Sequence, residues 1–137
     1  MTMTVSHLAK ASAVTAETVR YYTRLGLLVP SRDPHNGYQL FDAKQLKRLR
    51  FINQSRSLGF SLKEIAAILE HEAVGDSPCP MVRDMLQQRV PAVEAKIADL
   101  QQQLERMQSA LAQWQKMPDG APDGHRICHL IEAWEQH

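Results

Sequence analysis

Residues 15–28 read TAETVRYYTRLGLL, and this stretch decides the fold of the N-terminal part of the chain. Thr15 is a suitable N-cap for a helix over residues 16–25, because its hydroxyl can accept from a free backbone N–H of the first turn. Glu17 lies in that first turn, where the helix dipole favours a negative charge. Gly26 follows the helix, at a position where a left-handed backbone is common.

A shorter helix is predicted directly upstream, over residues 7–13. Ser6 is its expected N-cap, and Val5 precedes the cap as a hydrophobic staple. Two short helices joined by a tight turn are typical of a helix-turn-helix.

Downstream of the second helix, two short apolar stretches flank a segment rich in turn residues. The stretches are residues 27–30 and 37–41, and the segment between them contains Asp33-Pro34 and Asn36-Gly37. Turn dipeptides between short apolar runs indicate a two-stranded hairpin. We therefore predict a small β wing after the helix-turn-helix.

Two further helices should complete the core beneath this region. Asp42 can cap a third helix that ends near residue 58, before Gly59. Ser61 and Glu64 form the pattern of a capping box for a fourth helix over residues 62–73.

A heptad pattern dominates the second half of the chain. Its apolar positions, separated alternately by four and three residues, are Leu86, Val90, Val93, Ile97, Leu100, Leu104, Met107, Leu111 and Trp114. We predict one long helix over residues 81–116, with a kink near Pro91 because proline removes a helical hydrogen bond. The seam either packs against the N-terminal part or pairs with a second copy, and its length favours pairing.

The chain divides into four predicted segments, and the fold class is mainly α. Pro and Gly residues interrupt the helical pattern before the long helix, and two Pro-Asp-Gly tripeptides mark a loop after it. A short amphipathic helix over residues 127–134 follows that loop. The segments are a winged helix-turn-helix head (1–74), a linker (75–80), a dimerisation helix (81–116) and a loop with a short helix (117–137).

Composition excludes several classes of protein. Two cysteines cannot build a disulfide framework, and no apolar run approaches the ~20 residues that span a bilayer. The N-terminal residues lack the charged and apolar regions of a signal peptide. We therefore expect a cytoplasmic protein that does not enter a membrane.

Charge is divided unevenly along the chain. Residues 1–60 hold nine Lys/Arg and three Asp/Glu, a net +6, whereas residues 61–137 hold seven and twelve, a net −5. A basic first half is typical of a surface that meets a polyanion, although a merely solvated charged face is the alternative.

Seven side chains are the candidates for contact with DNA. The second helix of a helix-turn-helix enters the major groove, where arginine forks suit guanine edges and phosphates. The candidates are Thr18, Arg20, Tyr21 and Arg24 in the second helix, and Arg32, Asn36 and Tyr38 in the wing. Of the adjacent Tyr21 and Tyr22, we expect one to belong mainly to the core.

Several motifs, spread over the chain in order, resemble the MerR family of bacterial transcription regulators. They are TVRYY (18–22), LGLL (25–28), NGY (36–38) with FD (41–42), and LGFSLKEI (58–65). The resemblance implies a homodimer with an antiparallel pair of long helices, bound to a promoter palindrome together with RNA polymerase. Effector binding would then bend and untwist the DNA and activate transcription. The chain departs from the family at Gln39 and Thr23, where Arg and Glu are usual.

Cys79 and Cys128 are the leading candidates for an effector site. The long helix between them spans roughly 55 Å at ~1.5 Å per residue, so the two thiols of one chain cannot meet. Thiolate and imidazole together are typical of zinc sites, and cadmium accepts the same ligands. His125 lies three residues before Cys128, close enough in sequence to bind the same ion.

The resemblance extends to this site. A cysteine at the position of Cys79 is similar to the divalent-ion branch of the family, and residues 127–136 look like the tail of its zinc-responsive members. In the antiparallel dimer that the family implies, Cys79 of one chain lies near the 117–129 loop of the other. The candidate ligands, in order, are Cys79, Cys128, His125, His129, Asp123 and Asp119. The predicted effector is Zn²⁺, with Cd²⁺ or Co²⁺ as alternatives.

Two other functions are compatible with these residues. A reactive, low-pKa cysteine would make the protein a sensor of electrophiles or oxidants. A small zinc enzyme would need an open metal position and a general base in a cleft, and the sequence offers no pocket-forming domain for them. We therefore predict that the protein is not an enzyme.

Overall fold

A computed structural model describes residues 1–134 of the chain. In chain order the elements are β1 (Thr2–Met3), α1 (Val5–Ala11), α2 (Ala16–Arg24), β2 (Ser31–Arg32), β3 (Gln39–Asp42), α3 (Ala43–Ser57), α4 (Leu62–Ala73), α5 (Cys79–Trp114) and α6 (His129–Glu132). One compact unit spans Met1–Pro80, and a second begins at Met81. The predicted mainly α fold, with a winged helix-turn-helix and a long helix, is confirmed.

The helix-turn-helix consists of α1 and α2. The Thr15 hydroxyl accepts from the backbone N–H of Thr18 (3.1 Å), so the predicted cap of α2 is correct. The predicted cap of α1 is wrong, because Thr4 rather than Ser6 accepts from the N–H of His7. Helix α1 therefore begins at Val5, which is its first residue and not a staple before it.

The wing is built on β3, which lies between β1 and β2 and pairs antiparallel with both. Ser31 pairs with Leu40 in the β2–β3 ladder. The predicted first wing strand over residues 27–30 is wrong, since Leu27 and Leu28 are buried in the core and the strand follows them. Strand β1, which the sequence pattern did not reveal, has two residues and depends on β3 for its hydrogen bonds.

Helix α3 holds the segment that connects α2 to the wing. The buried side chain of Gln45 accepts from the backbone N–H of Val29 (2.9 Å), and Arg48 donates through Nε to the carbonyl of Leu27. These two side chains give the connecting backbone partners that a strand ladder would otherwise supply. The segment consequently stays against the core without being a strand.

Helix α4 completes the core of the first unit. Its predicted capping box is present, because the Ser61 hydroxyl accepts from the N–H of Glu64 (3.1 Å) and the Glu64 carboxylate accepts from the N–H of Ser61 (2.8 Å). The fully buried side chains of this core are Leu8, Val19, Leu28, Phe41, Leu49, Ile52, Phe60, Ile65 and Ile68.

Helix α5 runs without interruption from Cys79 to Trp114 and includes Pro91. It starts and ends two residues earlier than the predicted range 81–116. The heptad positions from Val90 to Leu111 are between 45 and 63% exposed in the single chain. None of the helices within residues 1–134 is both long enough and apolar enough to cross a bilayer.

The short helix α6 contacts the end of α5. The indole N–H of Trp114 donates to the carbonyl of Leu130 (3.0 Å). Helix α6 has four residues, fewer than the predicted helix over residues 127–134, and the last three residues of the predicted 117–137 segment lie outside the described part of the chain.

Candidate DNA interface and effector site

The outer face of α2 presents two arginines and a tyrosine. Arg20 and Arg24 are exposed, and Tyr21 is 44% exposed. The Arg24 guanidinium carbon lies 5.9 Å from the centroid of the Tyr21 ring, the geometry of a cation–π contact. Tyr22 is only 8% exposed, which confirms that one of the two tyrosines belongs to the core.

Two threonines of α2 make local contacts. The Thr18 hydroxyl lies 2.9 Å from the hydroxyl of Thr15, so it belongs to the capping arrangement at the start of the helix. The Thr23 hydroxyl donates to the carbonyl of Val19 (2.7 Å), one turn earlier in the helix. At position 23, where glutamate is usual in the family that the sequence resembles, α2 therefore carries a hydroxyl that makes its hydrogen bond within the helix.

Two of the predicted DNA-contact residues, Arg32 and Asn36, hold the turn of the wing. Arg32 donates to the carbonyl of Gly37 (3.0 Å), and the Asn36 side chain accepts from the N–H of Tyr38 (2.9 Å). Gly37 has a φ of +72°, which glycine adopts without steric cost. Arg32 and Asn36 shape the turn, while the Tyr38 ring is 66% exposed at its surface.

The two cysteines are free thiols near helix starts. Cys79 is exposed and is the first residue of α5. Cys128 is half-buried and occupies the N-cap position of α6, but its side chain makes no capping hydrogen bond. Neither thiol forms a disulfide.

The loop before α6 contains the acidic and imidazole candidates. The Asp123 carboxylate accepts from the backbone N–H groups of His125 and Arg126, each at 2.9 Å. These hydrogen bonds, His125 first, lower the pKa of Asp123 below its ordinary value because they stabilise the anion. Asp119 and His125 are exposed, whereas His129 is half-buried at the start of α6.

The six candidate ligands do not assemble within one chain. In the described residues 1–134, no three His, Cys, Asp or Glu side chains come close enough together to hold a metal ion. The loop candidates lie after α5, and Cys79 lies at its start. The 36 residues of α5 thus separate Cys79 from the loop candidates along the chain.

Two family models match this sequence and together span most of it. The model described as "MerR HTH family regulatory protein" matches residues 3–72, and that described as "MerR, DNA binding" matches residues 46–122. The chain belongs to the MerR family. The expectation drawn from its sequence motifs is thereby confirmed.

Curated relatives match along most of this MerR protein. The HTH-type transcriptional regulator ZntR of Escherichia coli K12 is 33% identical over 138 residues, covering 96% of this chain and 92% of ZntR. A mercuric resistance operon regulatory protein of Pseudomonas fluorescens is 32% identical and covers 81% of this chain and 73% of its own. Because these relatives are transcription regulators, the prediction that this MerR protein is not an enzyme is confirmed.

Solved structures show the same fold. PbrR691 from Ralstonia metallidurans CH34 in complex with lead(II) has a TM-score of 0.71 at 25% identity, covering 96% of this chain and 98% of that one. HiNmlR, a MerR family regulator bound to promoter DNA, has a TM-score of 0.56 at 30% identity, covering 85% and 88% of the two chains.

Two residues whose side chains bind backbone groups of another segment were not predicted from the sequence. Gln45 and Arg48 hold the segment between α2 and the wing, yet each reads as an ordinary polar position of α3. A polar residue on the buried face of α3 was the available signal for Gln45. No local signal distinguishes Arg48 from its basic neighbours Lys44 and Lys47.

Proposed function

We propose that this MerR protein is a cytoplasmic, divalent-metal-responsive transcription regulator that acts as a homodimer. The observation that carries the proposal is the likeness to the lead(II) complex of PbrR691, which spans 96% of the chain. The name of the Pseudomonas fluorescens relative also refers to a metal. The free thiols of Cys79 and Cys128 supply suitable donors.

The head, residues 1–74, binds a promoter palindrome. Arg20, Tyr21 and Arg24 face the major groove, Thr18 lies at the N-terminal end of the same helix, and the wing contacts the backbone through Tyr38. Arg32 and Asn36 hold the turn that presents Tyr38 and lie close to the same phosphates. The printed description of HiNmlR, bound to promoter DNA, supports this role.

The dimerisation segment, residues 81–116, pairs with a second copy in antiparallel orientation. Support comes from the heptad positions of α5, which are about half exposed in the single chain and form a continuous apolar stripe. Exposing such a stripe to water is unfavourable for an isolated helix, whereas a symmetric pair buries the stripes of both chains against each other.

The metal is held between the subunits. Cys79 of one chain and Cys128 of the other are the primary ligands, with His125, His129, Asp123 and Asp119 of the loop in that order. The donor set fits Zn²⁺, which binds thiolate, imidazole and carboxylate together, and Cd²⁺ or Co²⁺ can use the same atoms. When bound, the ion would cross-link the two chains beside the start of α5.

Metal binding in this arrangement changes the relative placement of the two heads on DNA. The palindrome would lie between promoter elements whose spacing does not suit RNA polymerase, and the loaded dimer would bend and untwist the DNA. Such distortion is stored as sequence-dependent deformation energy, so one site can serve repression and activation.

Metal analysis of the purified dimer, with promoter binding measured in parallel, tests the proposal. We expect a whole number of zinc ions per dimer in the native protein and their loss in Cys79→Ser and Cys128→Ser. DNA binding should survive in both variants. His71→Ala is the matched control, because it removes an imidazole outside the proposed ligand set. Zinc-dependent activation that persists in both serine variants would refute the metal site.

A thiol sensor of electrophiles or oxidants is the second candidate. The observation that favours it is the exposed free thiol of Cys79. Titration of the metal-free protein with zinc and, separately, with an aldehyde distinguishes the two functions by promoter output. A response to the aldehyde alone would establish the thiol sensor and exclude the metal-responsive function.

A further inference from the structure

Gln45, in the first turn of α3, is bonded to both ends of the wing. Its side-chain oxygen accepts from the backbone N–H of Val29 (2.9 Å), two residues before β2 begins. Its own backbone N–H donates to the carboxylate of Asp42 (3.1 Å), the last residue of β3. Gln45 is only 8% exposed, so water competes little for these two hydrogen bonds.

Arg48, about one turn further along α3, is bonded to the segment that leaves α2. Its Nε donates to the carbonyl of Leu27. The backbone N–H of the same Leu27 donates to the carbonyl of Tyr22 in α2 (3.0 Å). Leu27 is therefore joined to α2 through its N–H and to α3 through its carbonyl.

The chain that leads into α2 is also bonded to α3. The Asn53 side chain donates through Nδ2 to the carbonyl of Ser12 (3.2 Å), which is the C-cap residue of α1. Ser12 lies three residues before Thr15, the N-cap of α2. Polar side chains of α3 thus hold the backbone before α2, after α2 and at the base of the wing.

We propose that Gln45 and Arg48 are positioning residues for DNA binding, which fix the wing relative to α2 through the backbone of Leu27 and Val29. The inference rests on the proposed function, in which α2 enters the major groove while Tyr38 contacts the DNA backbone. Both contacts form together only when the separation of α2 and the wing matches that of the groove and the phosphate. A separation fixed before binding removes the cost of ordering the wing on DNA.

DNA affinity of the full-length dimer tests the inference in Gln45→Met and Arg48→Lys, with the duplex that the native dimer selects from a random pool as probe. Methionine offers no oxygen to Val29, and lysine keeps the charge but has a methylene where arginine has Nε. We expect affinity to fall roughly tenfold or more in each variant, because a displaced wing loses a hydrogen bond to a charged phosphate. Gln54→Met and Arg50→Lys, the same changes at exposed positions of α3, should stay within about twofold of the native protein.

A double-mutant cycle with Tyr38→Ala separates positioning of the wing from a general effect on the fold. Once Tyr38→Ala has removed the wing contact, Gln45→Met should reduce DNA affinity by no more than about twofold further. Losses that simply add in the double variant would overturn the inference, and so would unchanged affinity in Tyr38→Ala. Circular dichroism at the temperature of the binding assay shows whether each variant is folded.

Hydrogen exchange in the native protein keeps the test decisive if a variant folds poorly. The Val29 amide should exchange slowly although the residue is 63% exposed, because that amide donates to Gln45. Fast exchange at Val29 would overturn the inference. Native affinity in both Gln45→Met and Arg48→Lys would refute the positioning role alone, whereas a native dimer that selects no duplex would refute the proposed function as well.

Discussion

Leu100 lies at the centre of the apolar stripe on α5, and replacing it with glutamate should separate the two subunits. Its side chain is 63% exposed in the single chain. Burial of a whole leucine side chain contributes roughly 1.5–3 kcal/mol, so the exposed part is worth about 1–2 kcal/mol per chain and about 2–4 kcal/mol per dimer. At ~1.4 kcal/mol per tenfold, the dimer dissociation constant should rise roughly 30- to 700-fold.

The matched control is Gln102→Glu, which makes the same change in charge two residues along the helix and off the stripe. Sedimentation equilibrium at several protein concentrations gives the two dissociation constants, and circular dichroism checks that α5 remains helical. We expect Gln102→Glu to stay within a few-fold of the native protein. Equal dissociation constants for the two variants would show that the stripe is not the dimer interface.

Three further predictions concern orientation, stability and DNA binding. In an antiparallel pair, spin labels on Cys79, with the other cysteine replaced by serine, should lie ~60 Å apart by pulsed electron resonance; about 10 Å would indicate parallel helices. Ala13 has a φ of +55°, so Ala13→Gly should raise the free energy of unfolding by about 0.5–1 kcal/mol in urea denaturation, and a decrease would contradict the strain. Arg24→Ala should weaken promoter binding by roughly 1–3 kcal/mol, while Lys63→Ala, an equal loss of charge on α4, should not.

Local chemistry explains why the helix boundaries could be read from the sequence. The capping box of Ser61 and Glu64 and the cap at Thr15 both involve residues three positions apart, and both formed as predicted. Such contacts depend on a few neighbouring dihedral angles and hardly on the rest of the fold. The choice of Ser6 over Thr4 for α1 was wrong because both hydroxyls suit a cap and the sequence does not rank them.

Candidate site residues were predictable by type but not by role. Arginine and tyrosine on α2 were correctly expected near the surface, since spacing on a helix fixes which residues share a face. Composition did not predict that Arg32 and Asn36 hold the turn of the wing, because each of their hydrogen bonds depends on how the hairpin folds back. The approach of Gly120 to His129 joins a loop residue to the first residue of α6, and no periodic pattern predicts it.

The sequence by itself determined the family, the helix-turn-helix and the long heptad helix, because motifs, caps and periodicity act over short distances along the chain. Tertiary structure decided that Leu27 and Leu28 lie in the core and that the first wing strand is residues 31–32. The burial of that segment depends on the side chains of α3 that contact it. The single helix predicted through Pro91 is present, although proline lacks the N–H that an interior helical position normally donates. The residues that touch across loops and between elements are set by packing, which no local pattern encodes.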